Sequence, residues 1–498
     1  MDYIKYGHHI SYKNFLKIFL IYLLIFIPIL IMRYPDIRNE LKYFIVVDDI
    51  LESKNYFILK YFTELYPDKP PLFFWLLVFI KKYFSNYYIQ MAVFLGSVLP
   101  SFLITIFSYS IFSKIKDEKA GFFIALSLCT MPFFIGASLV LRMDMLMNLF
   151  IFMSLYTFFN LYFDFVKSDF KNISRIYIYI FLGLFTKGIA GVIVPVITIL
   201  IFLILENNLS FLKKIHFFKG ILFILMLLIL WGIAIILSSS EGKEYLLLMI
   251  GQETIGRVMK AKTHIKPFYY YLKIIPILIY PYGIFFLGSL FYYIKNIKSY
   301  KNWDYLEKIG FSWTIFPLIA FSCASGKLEI YLLPTFIGMI LMIYSFLMKI
   351  KGSEKEKIFV KISMIFSVLP YILNYFFNKE KNFYKKIIYF PMSMIIVFAL
   401  ITPFVRIYNK NYSLEPIKNT ILYNSSEKLI AYKFIDFINM KNEVNEDIIP
   451  MNDKENLKEL MNNNRVLIVA RHKYKKDLDD LKNLNLLYEN KNYLVFSN

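Results

Sequence analysis

Four short segments of this chain join a charge to a turn residue or a helix start and lie hard against apolar sequence. They are Asp68-Lys69-Pro70-Pro71, Arg142-Met143-Asp144, Thr186-Lys187-Gly188 and Ser325-Gly326-Lys327-Leu328-Glu329. Ionisable groups at the margin of a membrane-length segment point to function, because a charge at a helix centre costs ~2.5–3.5 kcal/mol to insert. The cations suit a phosphate; a carboxylate suits an acceptor that must be oriented or lose a proton. In the Asp-Lys-Pro-Pro segment the prolines fix the backbone, start a helix and hold Lys69 extended, which aims an ammonium outward. The plainer alternatives are a helix-start turn and snorkelling interfacial anchors. A fifth set, Glu253, Arg257 and His264, shares one loop ahead of Pro267-Phe268-Tyr269-Tyr270-Tyr271. Glu253 and Arg257 are four apart, so they face one side of a helix, as a site or as a simple exposed ion pair. The tyrosines read first as an interfacial aromatic belt.

The elements that must position these residues are membrane helices. The 498-residue chain is 58% hydrophobic with a mean hydropathy of +0.52. Runs such as Leu16–Met32, Phe217–Leu237 and Ile330–Met348 carry few or no charges and match the ~20 residues that cross ~30 Å of hydrocarbon. The chain therefore reads as a polytopic α-helical membrane protein of about 12–13 spans. The first segment follows Lys5, His8, His9 and Lys13 without a small-residue cleavage site, so it reads as a retained anchor. Further candidate spans are 88–112, 119–141, 144–165, 175–186, 189–205, 269–294, 309–325, 358–377 and 386–405. Pro70–Phe84 is shorter and is expected to lie along the interface.

Charge placement orients this frame. Loops 113–119, 166–175, 206–219, 295–308 and 349–361 each carry several lysines or arginines, whereas the opposing short loops carry Arg142, Lys187 and Lys327 alone. The positive-inside rule then places 33–87 and 238–268 outside. The formal net charge of +21 reflects inner loops facing anionic lipid, not nucleic acid binding. The same frame puts Asn378–Lys386 outside, although it holds Lys379, Lys381, Lys385 and Lys386. Charge alone leaves open whether there are twelve or thirteen spans, and so the side of the C-terminus.

Beyond about residue 410 the chain becomes polar. Residues 411–498 are expected to form a small α/β domain after a membrane domain at 1–410. Ser425–Met440 and Asp453–Met461 read as helices, and Arg465–Ala470 and Tyr493–Ser497 as strands. Cys129 and Cys323 lie in apolar segments and suggest neither a disulfide nor a metal site. His8, His9, His216 and His472 lack metal-ligand spacing among themselves, and no nucleotide-binding or zinc-protease motif stands in a supporting context.

Taken in order, an acidic first loop, DKPPLFFW, RMDML, TKGIAGVIVPV, the Glu253/Arg257 pair before HIKPFYYYL, and SGKLEIYLLP resemble the membrane glycosyltransferases of the GT-C fold. The likeness is to the bacterial aminoarabinose-transferase and dolichyl-phosphate-mannose protein mannosyltransferase-like family, over about residues 14–350. It implies transfer of a monosaccharide from a polyprenyl (undecaprenyl) phosphate to lipid A or another glycolipid, at the outer, periplasmic face of a bacterial inner membrane. By the same resemblance Asp144 falls on a family carboxylate. Lys69, Lys187 and Arg257 fall on donor-phosphate positions, and Tyr331 on an active-site tyrosine. The first-loop Asp-Glu pair followed by a basic residue and Tyr maps onto Asn39-Glu40-Leu41-Lys42-Tyr43. The family aspartate is thus Asn39 here, leaving Glu40 as a candidate and Lys42 as a further phosphate ligand. Tyr66, Lys327, Glu253 and His264 would line the pocket. Asp68 replaces a family glutamate implicated in divalent metal binding, usually zinc; no organic cofactor is implied. The implied partners are the lipid-linked donor and a lipid acceptor, with the protein a monomer. An oligosaccharide ligase or polymerase of the same fold, or a protein O-glycosyltransferase, stays open. A secondary transporter would show broken midplane helices and internal repeats, which the sequence lacks. An export or interaction protein acting through the C-terminal domain fits least.

Overall fold

The computed structural model describes residues 11–251, 264–366, 380, 382–424, 428–481 and 484–498. Glu253 and Arg257 lie outside the described residues. Among the described residues six helices are long and apolar enough to cross a membrane: Tyr12–Met32, Ser85–Ile115, Met143–Tyr162, Phe217–Ser238, Glu329–Ile350 and Phe383–Ile401. Glu118–Leu128 and Pro132–Leu139 form a seventh candidate bent by 64°. The expected spans at 175–186, 189–205, 269–294 and 309–325 are also helical, the third of them broken near Pro281. Of 358–377 the described part is helix Glu354–Phe366.

The first loop is built, not draped. Helix Leu41–Ser53 buries Leu41, Phe44, Val46, Val47 and Ile50 and ends at Lys54 in a left-handed conformation, φ 56°. A two-stranded hairpin follows, β1 (Lys60–Tyr61) against β2 (Glu64–Leu65), with Tyr61 opposite Glu64. Pro71 then caps helix Leu72–Tyr83, as tandem prolines predict. Tyr43 sits edge-on to both Phe73 and Phe74 at 5.7 Å, locking the two helices together.

The C-terminal sheet has the order β4-β3-β5-β7-β6, where β3 is Lys428–Tyr432, β4 Ile448–Met451, β5 Val466–Arg471, β6 Asn485–Glu489 and β7 Tyr493–Ser497. Strand β3 pairs in parallel with β4 and β5; β7 runs antiparallel to β5 and β6. The predicted strands at 465–470 and 493–497 and the helix near 453–461 are present. The reading of Ser425–Met440 as a helix is corrected. Its described part is β3 followed by a 3₁₀ turn, Ile435–Met440. Leu429-Ile430-Ala431-Tyr432 is a run of four buried residues, the pattern of a strand covered on both faces.

The packing corrects the side assigned to Asn378–Lys386. Tyr384 donates its hydroxyl to the Lys119 carbonyl at 3.1 Å, and Lys386 pairs with Glu356 at 3.6 Å. Asn14, Lys17, Glu118, Lys119, Tyr384 and Lys385 line one cavity of about 210 Å³. The described lysines of that segment, Lys385 and Lys386, therefore lie with the other basic loops. Phe383–Ile401 runs from that end to the end of the first loop. There Asn409 Nδ2 reaches the Met32 carbonyl at 2.6 Å and Asn439 Nδ2 the Ile37 carbonyl at 2.9 Å. The C-terminal sheet and the first loop thus share one end, which makes the number of crossings odd. The basic loops gather at the opposite end, as the positive-inside rule demands.

Candidate active site

The site forms where helix ends meet. Met143–Tyr162 and Phe170–Lys187 are consecutive and antiparallel, so the first turn of one lies beside the last turn of the other. Asp144 stands in a first turn and Lys187 in a last turn, each on the side its helix dipole favours. Phe170–Lys187 ends at Gly188, φ 113°, where a side chain would be strained. The next helix, Ala190–Leu205, returns so closely that a Cβ on Gly191 would lie 2.3 Å from the Gly183 carbonyl carbon.

Asp144 is buried and holds two cations. Its Oδ1 accepts from Lys187, and its Oδ2 from Arg142 Nε at 3.2 Å. The Lys187 ammonium also lies 5.2 Å from the centre of the Tyr331 ring. Arg142 Nη1 reaches Asn39 Oδ1 at 3.5 Å, and Asn39 Nδ2 donates to Asp36 Oδ1 at 2.8 Å. Tyr43 lies under the same charges: burial raises its pKa above the ordinary phenol value, Arg142 opposes, and Asp144, Glu40 and Asp68 add to the rise. The structure thus joins Asp144, Lys187, Tyr331 and Asn39, which the sequence singles out, through Arg142 and Tyr43.

Glu40 has a different setting. It is fully buried, and Arg33 donates to both its oxygens, at 2.8 Å to Oε1. The backbone amides of Asp36 and Leu141 also donate to it, each at 2.6 Å. Arg33 in turn donates to the Leu139 carbonyl at 2.7 Å. Glu40 therefore fastens the first loop to the turn that presents Arg142 and Asp144. Lys42 Nζ lies over two rings, 4.6 Å from the centre of Tyr61 and 4.4 Å from that of Tyr66. Lys69 and Asp68 are half-buried just before the Leu72–Tyr83 helix.

Lys327 is buried and is spent on backbone: its Nζ donates to the carbonyls of Lys266, at 3.0 Å, and Ala324. It pins 264–266 to 325–327, where Lys327 N donates to the His264 carbonyl at 3.0 Å and Ile265 bridges Gly326. The His264 side chain is exposed. Tyr270 donates to Glu329 in the same patch. Among the described residues no group of three or more His, Cys, Asp or Glu side chains could hold a metal ion, so the zinc reading of Asp68 finds no ligand set there. Sequence reasoning passed over Arg33 and Asp36. Arg33 is marked by standing directly after the first apolar run; Asp36 carries no such signal.

This architecture defines a class. The chain aligns over 97% of its length, and 97% of the other chain, with ArnT from Cupriavidus metallidurans bound to undecaprenyl phosphate, at TM-score 0.75 and 14% identity. Its fold is the GT-C membrane fold with a small C-terminal sheet domain. Residues 68–233 match the family described as dolichyl-phosphate-mannose-protein mannosyltransferase. The chain is 26% identical over 348 residues to the undecaprenyl phosphate-alpha-4-amino-4-deoxy-L-arabinose arabinosyl transferase of Wigglesworthia glossinidia brevipalpis, covering 68% of this chain and 59% of that one. It is 23% identical over 352 residues to an uncharacterized protein of Aquifex aeolicus, covering 69% and 66%. The matches thus span about three-fifths to two-thirds of the length of these curated relatives.

Proposed function

We propose that this protein is a glycosyltransferase that moves one sugar from a polyprenyl phosphate to an envelope glycolipid acceptor. The reaction would take place at the outer face of the inner membrane. The observation that carries the reading is the Lys187–Asp144–Arg142 cluster, set at the end of the bundle that also presents Lys42 and Lys69. When the sugar–phosphate bond breaks, negative charge grows on the departing polyprenyl phosphate. Lys69, Lys42 and Lys187 supply compensating cations, and Arg257 is assigned with them from the sequence. The acceptor oxygen attacks the anomeric carbon from the opposite face, which inverts its configuration. Asp144 orients the acceptor or takes its proton. Tyr331 and Tyr66 wall the pocket. Glu40, fully buried and tied to Arg33 and to the backbone amides of Asp36 and Leu141, serves as a positioning residue.

Asn39 narrows the acceptor. An amide cannot accept a proton as a carboxylate does, a loss that an acceptor already anionic tolerates. A lipid A phosphate meets that condition, and the single cations of the short loops at that end, Arg142, Lys187 and Lys327, against several in each loop at the other end, support an outer-face location. The relatives named as aminoarabinosyl transferases support the donor class.

The test is transfer by purified protein in lipid nanodiscs. It would be supplied with undecaprenyl-phosphate aminoarabinose, a panel of other polyprenyl-phosphate monosaccharides, and lipid A. A mass gain of one sugar on lipid A with release of undecaprenyl phosphate is expected. Full activity in Asp144→Ala or Lys69→Ala would overturn the assignments. Transfer of whole oligosaccharide blocks would point to a ligase of the same fold.

A further inference from the structure

We propose that Asn439 of the C-terminal domain is a positioning residue for the donor site, acting through Tyr61 on Lys42. Asn439 is nearly fully buried and both ends of its amide are engaged. Its Oδ1 accepts the Tyr61 hydroxyl at 2.7 Å, and its Nδ2 donates to the Ile37 carbonyl at 2.9 Å. One side chain from the last hundred residues therefore ties together two points of the first loop that are far apart in sequence. Tyr61 ends β1 and presents its ring to the Lys42 ammonium at 4.6 Å. Tyr66, just past β2, presents the second ring at 4.4 Å.

An ammonium between two ring faces is held by the negative quadrupoles of both, so its place depends on where the rings stand. A two-residue strand pair has little stability of its own. Something outside the hairpin must fix Tyr61, and the buried amide does so. A second tie lies beside it: Asp436 pairs with Arg38 at 2.7 Å and with Arg471 at 2.8 Å. That contact is more exposed than Asn439. The C-terminal sheet is thus part of the donor site, not an appendage.

This inference rests on the assignment of Lys42 to the donor phosphate, and the experiment separates the two. The full chain in nanodiscs is compared as wild type, Asn439→Ala, Tyr61→Phe and Lys42→Ala. Tyr61→Phe keeps the ring and removes only the hydroxyl bond, so it guards against misfolding. The readouts are backbone hydrogen exchange over 37–66 and affinity for undecaprenyl phosphate. Faster exchange at 59–66 in both Asn439→Ala and Tyr61→Phe is expected, with affinity weakened about fivefold, the worth of one cation–π contact. Unchanged exchange in both variants overturns the clamp whatever the protein's function. Faster exchange with unchanged affinity overturns the relay to Lys42. Unchanged affinity in Lys42→Ala shows instead that the donor assignment of Lys42 is wrong.

Discussion

Asp144 and Lys187 form a buried ion pair between the first turn of one helix and the last turn of the next, with side chains 3% and 11% exposed. Their helices are neighbours in sequence, so a hairpin brings the two together without any long-range contact. Asp144 also holds Arg142, so losing Lys187 leaves it one cation while losing Asp144 strands two; breaking a buried pair costs ~3–5 kcal/mol, less where a second partner stays. Lys187→Met should therefore lower thermal stability and cut transfer by about a hundredfold or more. The double variant Asp144→Leu/Lys187→Met should regain part of the stability and none of the activity. Unfolding followed by tryptophan fluorescence, beside a transfer assay, checks both halves.

Arg33 and Glu40 should behave as a structural unit. A double-mutant cycle with Arg33→Met and Glu40→Gln is expected to give a coupling of ~1–3 kcal/mol. Both single variants should lose folded protein before they lose turnover per folded molecule. A stable Glu40→Gln protein with kcat reduced about a thousandfold would instead make Glu40 catalytic.

Asn39→Asp probes the acceptor. Asn39 donates to Asp36 at 2.8 Å, and an ionised aspartate would turn that bond into a like-charge contact. With a phosphate acceptor, kcat/KM should fall about tenfold through repulsion. A rise in activity would mean that the true acceptor is a hydroxyl needing a base.

Tyr43 should stay protonated through the working range, because burial raises its pKa above the ordinary value near 10. Tyr43→Phe and wild type should then share the same alkaline limb of the pH–rate profile up to about pH 10. An alkaline loss present only in wild type would show that the phenol ionises within that range.

The odd number of crossings can be read by labelling. In a Cys323→Ala background, Lys355→Cys should react with a membrane-impermeant maleimide from the same side as Lys385→Cys, and Asn456→Cys from the other. Labelling of all three from one side would restore the even count.

Gly191→Ala should destabilise by ~1–3 kcal/mol. Its methyl would meet the Gly183 backbone and push apart the helix ends that frame Lys187. Lower transfer with unchanged melting would argue against that contact.

The sequence by itself determined the fold class of this protein and marked candidates for its site. Spans follow from runs of apolar residues, the Pro71 helix start from local backbone chemistry, and the candidates Asp144 and Lys187 from charged groups set against those spans; Tyr331 came from the family resemblance. These are short-range properties, carried by composition and spacing. What depends on partners distant in sequence was decided by tertiary structure alone. Glu40 reads as a base until Arg33 and the Leu141 amide occupy its oxygens. Lys327 reads as a ligand until two backbone carbonyls claim it. Lys385 and Lys386 read as misplaced until Tyr384 meets Lys119. The difference is physical: a residue type fixes which bonds a group can make, and only packing fixes which of them are already made.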